Sequence, residues 1–145
     1  MGSTRIARKG GAVQRDLSVK TNAHAEFHEI TDEVQAIVSA SKIRSGICYV
    51  YVPHTTAGVT INENADPDVK SDMLQALEKA VPWKQPFYQH GEGNSAAHVK
   101  ASMMGFTATV FVENGKLKLG TWQGIYLCEF DGPRSRKVWI RVTNA

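Results

Sequence analysis

After Gly105 the chain contains four strand-like segments that are separated only by short turns, at residues 106–112, 117–119, 122–130 and 137–142. The Asn-Gly pair at positions 114 and 115 is typical of the tight turn of a β-hairpin. Helical patterns are confined to the preceding part of the chain. This order predicts an α+β protein with a mostly antiparallel sheet and argues against a doubly wound parallel sheet.

Three further segments before Gly105 have strand patterns. Residues 12–20 alternate between apolar and polar side chains, which is typical of a half-buried strand. Residues 47–52 form an apolar run that Pro53 stops, so they predict a buried central strand. Residues 59–62 predict a short strand.

About three helices are expected to pack against this sheet. The first follows Thr31, whose hydroxyl can cap it, and ends by Gly46. The second begins at Asp66 and Pro67, because a carboxylate at the cap and a proline in the first turn favour a helix start. The third begins near Ser95 and is closed by Gly105.

Charge is concentrated at the N-terminus. The chain has 145 residues, with 17 basic and 14 acidic side chains. The first ten residues contain three of the basic ones and no acid, so the remainder is balanced. We therefore predict a flexible basic tail over residues 1–11 and a single domain over residues 12–145. A balanced domain lacks the basic face that nucleic-acid binding requires, so no nucleic-acid partner is expected.

The two cysteines, Cys48 and Cys128, lie far apart inside apolar strand-like runs. This pattern predicts buried core thiols in a reducing compartment and not a disulfide framework. No apolar run approaches the ~20 residues of a transmembrane helix, and no signal peptide is apparent. The expectation is a cytoplasmic protein without a membrane partner.

Histidines mark two polar patches. His54, Thr55 and Thr56 follow the predicted central strand directly, and a second patch contains His90 and His98. Three neutral imidazoles with one open position form a known catalytic metal site, but scattered surface or core histidines give the same spacing. His24 and His28 resemble a zinc-helix motif only superficially, and we predict a solvated loop there.

Other polar side chains add candidates for the site. Glu63, flanked by Asn62 and Asn64, is a candidate general base, metal partner or hydrogen-bond partner of a histidine, or an ordinary loop acid. Gln123 lies between two glycines, where a bulge or a close approach by a ligand is expected. Arg134 and Arg136 lie on a turn, where they can bind phosphate or carboxylate, or pair with Asp131 in a charged hairpin loop.

Several of these segments, in this order, resemble the YjbQ family, whose members are labelled uncharacterised or "secondary thiamine-phosphate synthase". The resemblance rests on Pro-His-Thr-Thr-Ala at 53–57, Asn-Glu-Asn-Ala-Asp-Pro at 62–67, His90 with Asn94 and His98, Gly-Thr-Trp-Gln-Gly-Ile at 120–125 and Glu-Phe-Asp-Gly-Pro-Arg-Ser-Arg at 129–136. It extends from about Val13 to the end of the chain.

The resemblance implies an α+β domain that assembles as a homotrimer, with a polar pocket near the subunit contacts. It also implies a metal or anion site around His54, His90 and His98. The implied activity is weak thiamine-phosphate synthesis, in which a pyrimidine pyrophosphate and a thiazole phosphate give thiamine phosphate and pyrophosphate.

Roles for the candidate residues follow as hypotheses. The three histidines would hold a divalent metal, and Glu63 or Gln123 would orient the substrate. Phosphate oxygens would be bound by the remaining candidates, which are Thr55, Thr56, Asn62, Asn94, Arg134 and Arg136. Magnesium, the usual partner of pyrophosphate, prefers oxygen ligands, whereas three imidazoles suit zinc. Two alternatives therefore stay open: a His-ligated metal-dependent hydrolase, and a non-enzymatic trimer that binds phosphorylated metabolites.

Overall fold

The computed structural model describes the backbone of residues 6–9 and all of residues 11–145. Over these residues the chain forms nine strands and three helices. The strands are β1 (Ile6–Lys9), β2 (Ala12–Lys20), β3 (Glu26–Glu29), β4 (Ser45–Tyr51), β5 (Ala57–Glu63), β6 (Thr107–Glu113), β7 (Lys116–Leu117), β8 (Gln123–Glu129) and β9 (Ser135–Asn144). The helices are α1 (Thr31–Ser41), α2 (Pro67–Ala80) and α3 (Ser95–Met104).

The strands form two antiparallel sheets. The larger has the order β1-β2-β9-β4-β6-β7 and the smaller has the order β3-β8-β5. Alternation along β9 shows which face of the larger sheet is covered, because Val138, Ile140 and Val142 are buried whereas Trp139 and Arg141 point outward and are exposed. This fold confirms the predicted α+β class with antiparallel sheets and three helices.

Strand β8 lies between two apolar layers. Ile125 and Leu127 belong to a core shared by both sheets and α1, whereas Tyr126 and Cys128 belong to a second core with α3 and, through partly buried side chains, α2. Successive residues of a strand point to opposite faces, so β8 is apolar on both. The smaller sheet is therefore covered on one face by the larger sheet and on the other by two helices.

Helix α2 starts as the sequence predicts, but α1 does not. The side chain of Asp66 accepts a hydrogen bond from the backbone N–H of Asp68 at 2.9 Å, with Pro67 at the first helical position. Thr31 is already the first residue of α1 and does not cap it, because its hydroxyl instead accepts from the N–H of Ile125 at 2.9 Å. Lys42, in a left-handed conformation with φ 64°, ends α1 well before Gly46.

Three other predictions need correction. The segment around His28, predicted as a solvated loop, contains strand β3, which pairs with β8. Strands β8 and β9 belong to different sheets, so residues 131–134 cross between the sheets and do not close a hairpin. Within the predicted tail, residues 6–9 form β1, which pairs with β2, whereas residues 1–5 and 10 lie outside the described residues.

In the part of the chain that the structure describes, no helix is long and apolar enough to cross a membrane.

Candidate functional site

A buried ion pair joins the two sheets at one end. Glu129 is the last residue of β8 and is fully buried, and Arg136, in β9, is 4% exposed. Arg136 Nε donates to Glu129 Oε1 at 2.8 Å, and its Nη2 donates to the other carboxylate oxygen and to Thr56 Oγ1. Thr21 Oγ1 donates to Glu129 Oε1 at 2.8 Å. We call this group, together with His54, the polar junction.

Glu129 stays ionised in this junction. Burial alone would raise the pKa of Glu129, but hydrogen bonds from Arg136, from the backbone N–H of Asp131 and from Thr21 outweigh it and leave that pKa lowered. A buried charge is tolerated only when it is paired and hydrogen-bonded, and both conditions hold. The pair therefore fixes the position of the turn that follows β8 relative to β9.

His54 lies shortly after β4, beside this ion pair. Its Nε2 accepts a hydrogen bond from the backbone N–H of Lys137 at 2.9 Å, so in the neutral ring the proton is on Nδ1. Desolvation lowers the pKa of His54, and the positive charge of Arg136 lowers it further. At neutral pH His54 is thus an uncharged imidazole that offers one N–H donor.

A second set of hydrogen bonds connects the start of α3 to the junction. Asn94 Nδ2 donates to Asp131 Oδ2 at 2.9 Å, and Arg134 Nη2 donates to the same oxygen at 3.1 Å. The N–H of Asp131 donates to Glu129 Oε2 at 3.0 Å. Burial would raise the pKa of Asp131, but the hydrogen bonds from Asn94 and Arg134 leave it lowered. Asn94, at the cap position of α3, uses its side chain for this link and not for capping.

The three predicted metal ligands do not meet within one chain. His90 and His98 have ring centroids 5.4 Å apart and nearly perpendicular planes, and His90 Nε2 lies 3.4 Å from a Glu92 carboxylate oxygen. The lone pair of His54 Nε2 is used by Lys137, which leaves that nitrogen unable to ligate a metal. Among residues 11–145, no group of three or more His, Cys, Asp or Glu side chains is arranged to hold a metal ion.

The two predicted catalytic residues lie at the far end of the smaller sheet. Ala57 pairs with Glu129, whereas Glu63 pairs with Gln123. Six steps along β5 separate these positions, which corresponds to about 20 Å. Gln123 Oε1 accepts from the N–H of Gly120 at 2.8 Å, so its side chain closes a local turn. Asn62 also uses its side chain locally, because its Oδ1 accepts from the N–H of Glu63. Within one chain the structure does not bring Asn62, Glu63 and Gln123 to the junction.

Basic side chains surround the exposed side of the junction. Lys137 is exposed, and its Nζ donates to Ser18 Oγ at 2.9 Å. Lys20 is exposed two register steps away from Lys137, and half of the Arg134 side chain is exposed. Thr55 is exposed beside His54, whereas Thr56 is buried. The two predicted anion-binding arginines therefore differ in accessibility. Arg136 is buried and bound to Glu129, whereas Arg134 is accessible.

The sequence analysis did not identify Glu129 and Thr21, although one signal was present. Glu129 is a single acid in a run that is otherwise apolar from Tyr126 to Phe130. An acid that must be buried with such neighbours requires a cationic partner. Arg136 meets that need because in β9 it alternates with exposed residues and so points to the covered face.

The described residues thus define an α+β protein in which a polar junction connects two antiparallel sheets. Residues 15–145 match the family model described as UPF0047 protein YjbQ-like, and the chain belongs to that family. It is 53% identical over 128 residues to the UPF0047 protein YugU of Bacillus subtilis, which covers 88% of this chain and 97% of that protein. A UPF0047 protein of Methanocaldococcus jannaschii is 48% identical over 124 residues, covering 86% of this chain and 89% of that protein.

Solved structures of similar proteins have the same fold. A YjbQ/UPF0047 family protein of Clostridium acetobutylicum superimposes with a TM-score of 0.85 at 54% identity, covering 88% of this chain and 98% of that one. A YjbQ-like protein of unknown function from Sulfolobus solfataricus gives a TM-score of 0.87 at 33% identity, covering 92% and 98%. The resemblance noted in the sequence is confirmed at the level of family and fold.

Proposed function

We propose that this protein is a small-molecule transferase of the thiamine-phosphate synthase type, and that it binds phosphorylated substrates at the exposed side of the polar junction. The observation that carries the proposal is the state of His54. Its hydrogen bond to Lys137 and its lowered pKa keep the ring neutral with an Nδ1–H donor, close to exposed basic side chains. Neutral and cationic donors together are the groups that stabilise a phosphate or pyrophosphate.

The reaction has simple demands on the protein. The bond between the pyrimidine methylene carbon and a pyrophosphate oxygen breaks, and both electrons leave with the oxygen. The thiazole nitrogen then forms the new carbon–nitrogen bond with that methylene carbon. His54 Nδ1–H, Lys137 and Arg134 would stabilise the charge on the departing pyrophosphate, and the exposed hydroxyl of Thr55 would add a neutral donor.

The divalent cation of this proposal is magnesium that arrives with the pyrophosphate. The engaged Nε2 of His54 supports this choice over a zinc held by three imidazoles. His90 and His98, which lie next to each other near the start of α3, would then contact the substrate and not a metal. Zinc bound at one ion per chain would instead favour the hydrolase.

We also propose that the protein assembles as a homotrimer through the outward face of the larger sheet. This aromatic face is defined by Tyr49, Tyr51, Phe111 and Trp139, which are 37%, 44%, 62% and 44% exposed. Trp139 stacks on Tyr51 with a centroid distance of 5.6 Å. Exposed aromatic clusters of this kind are typical of protein interfaces.

A second copy of the chain is the occupant that this face suits best. Asp16 and Arg141 give it charges of both signs, so it carries no strong field that would select a polyanion. It is continuous with the junction, because Lys137 lies two residues before Trp139 on the same side of β9. Such an assembly would let Glu63 and Gln123 of one subunit approach the junction of another.

The two free, buried cysteines support a cytoplasmic setting.

A direct assay tests the transferase proposal. Protein without a histidine tag is incubated with the pyrimidine pyrophosphate, the thiazole phosphate and magnesium, and thiamine phosphate and pyrophosphate are quantified. In His54→Gln, the glutamine carbonyl can still accept from Lys137, but the amide N–H groups do not occupy the position of Nδ1–H. The donor is therefore displaced from the departing pyrophosphate, and we expect turnover to fall about 10²-fold. Lys79→Gln, on an exposed part of α2, is the matched surface control.

Three outcomes would contradict the proposal. The first is the absence of product from the unchanged protein, and the second is equal turnover in His54→Gln and the control. The third is thermal stabilisation by phosphorylated metabolites without any turnover, which would favour the non-enzymatic binding protein.

A further inference from the structure

Basic side chains also cluster at the opposite end of strand β4. A cleft of about 440 Å³ opens between the end of α1 and the turn that joins β6 to β7. Three cationic side chains line it: Lys42, Arg44 and Lys116. We propose that this basic cleft binds a multiply phosphorylated small molecule.

The walls of the cleft are held together by one side chain. Gln35, in α1, accepts from the N–H of Leu117 at 2.9 Å through Oε1 and donates to the carbonyl of Gly115 at 3.1 Å through Nε2. Both of its backbone partners belong to the β6–β7 hairpin. The helix and the hairpin therefore keep a fixed separation, and the cleft is preformed, which lowers the entropic cost of binding.

The cations are also positioned by the backbone. The N–H of Gly115 donates to the carbonyl of Arg44 at 2.9 Å, which ties the start of β4 to the turn. Gly115 has φ 76°, and a Cβ there would lie 3.3 Å from Arg44 Nη1. The glycine thus meets the turn's need for positive φ and lets the guanidinium lie close to the turn.

None of the three cations has an acidic partner within the described residues. The six ion pairs found there involve other side chains. Glu113 lies directly opposite Lys116 in the β6–β7 pairing, but its carboxylate forms its ion pair with Lys118, at 2.6 Å. Like charges repel, so three of them around one cleft lower stability unless an anion balances them.

The end of helix α1 explains only one of these charges. Lys42 is the C-cap residue, where the helix dipole favours a cation. Arg44 and Lys116 lie outside the helix, beside and on the hairpin, and the dipole effect does not extend beyond the last turn. Lys42 also has a left-handed backbone conformation, which a glycine would adopt with less strain.

The geometry indicates the class of ligand. A single carboxylate needs one cation, whereas three cations spread around a cleft match several anionic groups on one molecule. The volume lies at the lower end of the range for small-molecule pockets, which suits a compact ligand such as an oligophosphate. The cleft and the polar junction lie at opposite ends of β4, about 20 Å apart, so this inference does not depend on the proposed transferase.

The experiment uses tripolyphosphate as the probe, with inorganic phosphate for comparison, at physiological ionic strength. Binding to the full chain is measured by calorimetry and by backbone amide chemical shifts. We expect tripolyphosphate to shift the amides of Lys42, Gly115 and Lys116 and to bind more tightly than phosphate. Arg44→Gln with Lys116→Gln should weaken binding at least about tenfold, because two charge-assisted contacts are lost.

The matched control removes two exposed lysines elsewhere, Lys79→Gln with Lys84→Gln, and should change the affinity less than about twofold. Equal weakening in both double variants would overturn the proposal, as would the absence of binding to the unchanged protein. If the cleft variant does not fold, the amide shifts of the unchanged protein decide: shifts at the junction and not at the cleft overturn it, and shifts at the cleft support it.

Discussion

The guanidinium of Arg136 is bound to the carboxylate of Glu129 through both Nε and Nη2, and the pair is almost completely removed from solvent. Because Glu129 ends a strand of the smaller sheet and Arg136 belongs to the larger one, this contact joins the sheets electrostatically at the edge of their shared core. The pair also supplies the positive charge that acts on His54. The same ion pair therefore connects the two sheets and, in addition to burial, lowers the pKa of His54 through Arg136.

Removing one partner of this pair should be strongly destabilising. Glu129→Gln keeps the size of the side chain but leaves the Arg136 charge buried without a counter-ion, and we expect a loss of about 3 kcal/mol in the free energy of unfolding. Urea denaturation measures it. Arg134→Gln is the control, since it breaks the exposed pair with Asp131 and should cost less than about 1 kcal/mol. A loss in Glu129→Gln no larger than in the control would show that the buried pair does not hold the sheets together.

His54 should make stability depend on pH just below neutrality. Its pKa in the folded protein lies below the ordinary value of 6.5, so the unfolded chain binds this proton at a higher pH than the native one. The contribution of the neutral His54 to the free energy of unfolding is therefore complete above pH 6.5. It is lost as the pH falls through the lowered pKa of His54. Stability measured from about pH 8 to about pH 5 should fall less steeply in His54→Gln than in the unchanged protein.

The same effect can be observed at the residue itself. The ring protons of His54, followed by NMR, should titrate with a midpoint below 6.5 in the native protein. In urea the shift should disappear, because the burial and the nearby Arg136 charge are lost. A native midpoint at or above the denatured one would contradict the neutral imidazole on which the proposed function rests.

Local patterns predicted most of the elements. The cap at Asp66 and the Asn-Gly turn each reflect contacts between residues that are close in sequence, and the structure has both. Strand β3 was missed because four residues with two acids and a histidine have no apolar periodicity, and its strand conformation depends on pairing with β8.

The site could be predicted only in part, for the same reason. His54 was chosen because it directly follows a buried strand, Arg134 because it lies on a turn, and Asn94 through the family resemblance. All three lie in or beside the junction. Whether two such positions meet depends on which sheet each strand joins. The assignment of β8 and β9 to different sheets places Glu129 against Arg136 and leaves Gln123 about 20 Å away, and no local pattern contains that information.

Both cysteines should be unreactive in the folded protein. Burial raises the pKa of Cys48 to about 12 and raises that of Cys128 as well, so hardly any thiolate forms at neutral pH. An aromatic disulfide reagent should detect two thiols per chain in urea and none within minutes under native conditions. Ser102→Cys, at an exposed position of α3, is the control that should react at once. Rapid native reaction of the unchanged protein would mean that the core opens at Cys48 or Cys128.

The aromatic face provides the test of the trimer. Trp139→Arg removes the ring that stacks on Tyr51 and places a charge at the centre of that face. Asp16, the cross-strand partner of position 139, can pair with that charge, but removing both charges from water still costs several kcal/mol, so a second copy should not pack there. Light scattering should then give the mass of a single 15.9 kDa chain in place of three. Phe87→Arg, at an aromatic that is 71% exposed on the loop after α2, is the matched control and should leave the trimer intact. A trimer that survives Trp139→Arg, or an unchanged protein that is monomeric, would rule out this face as the subunit contact.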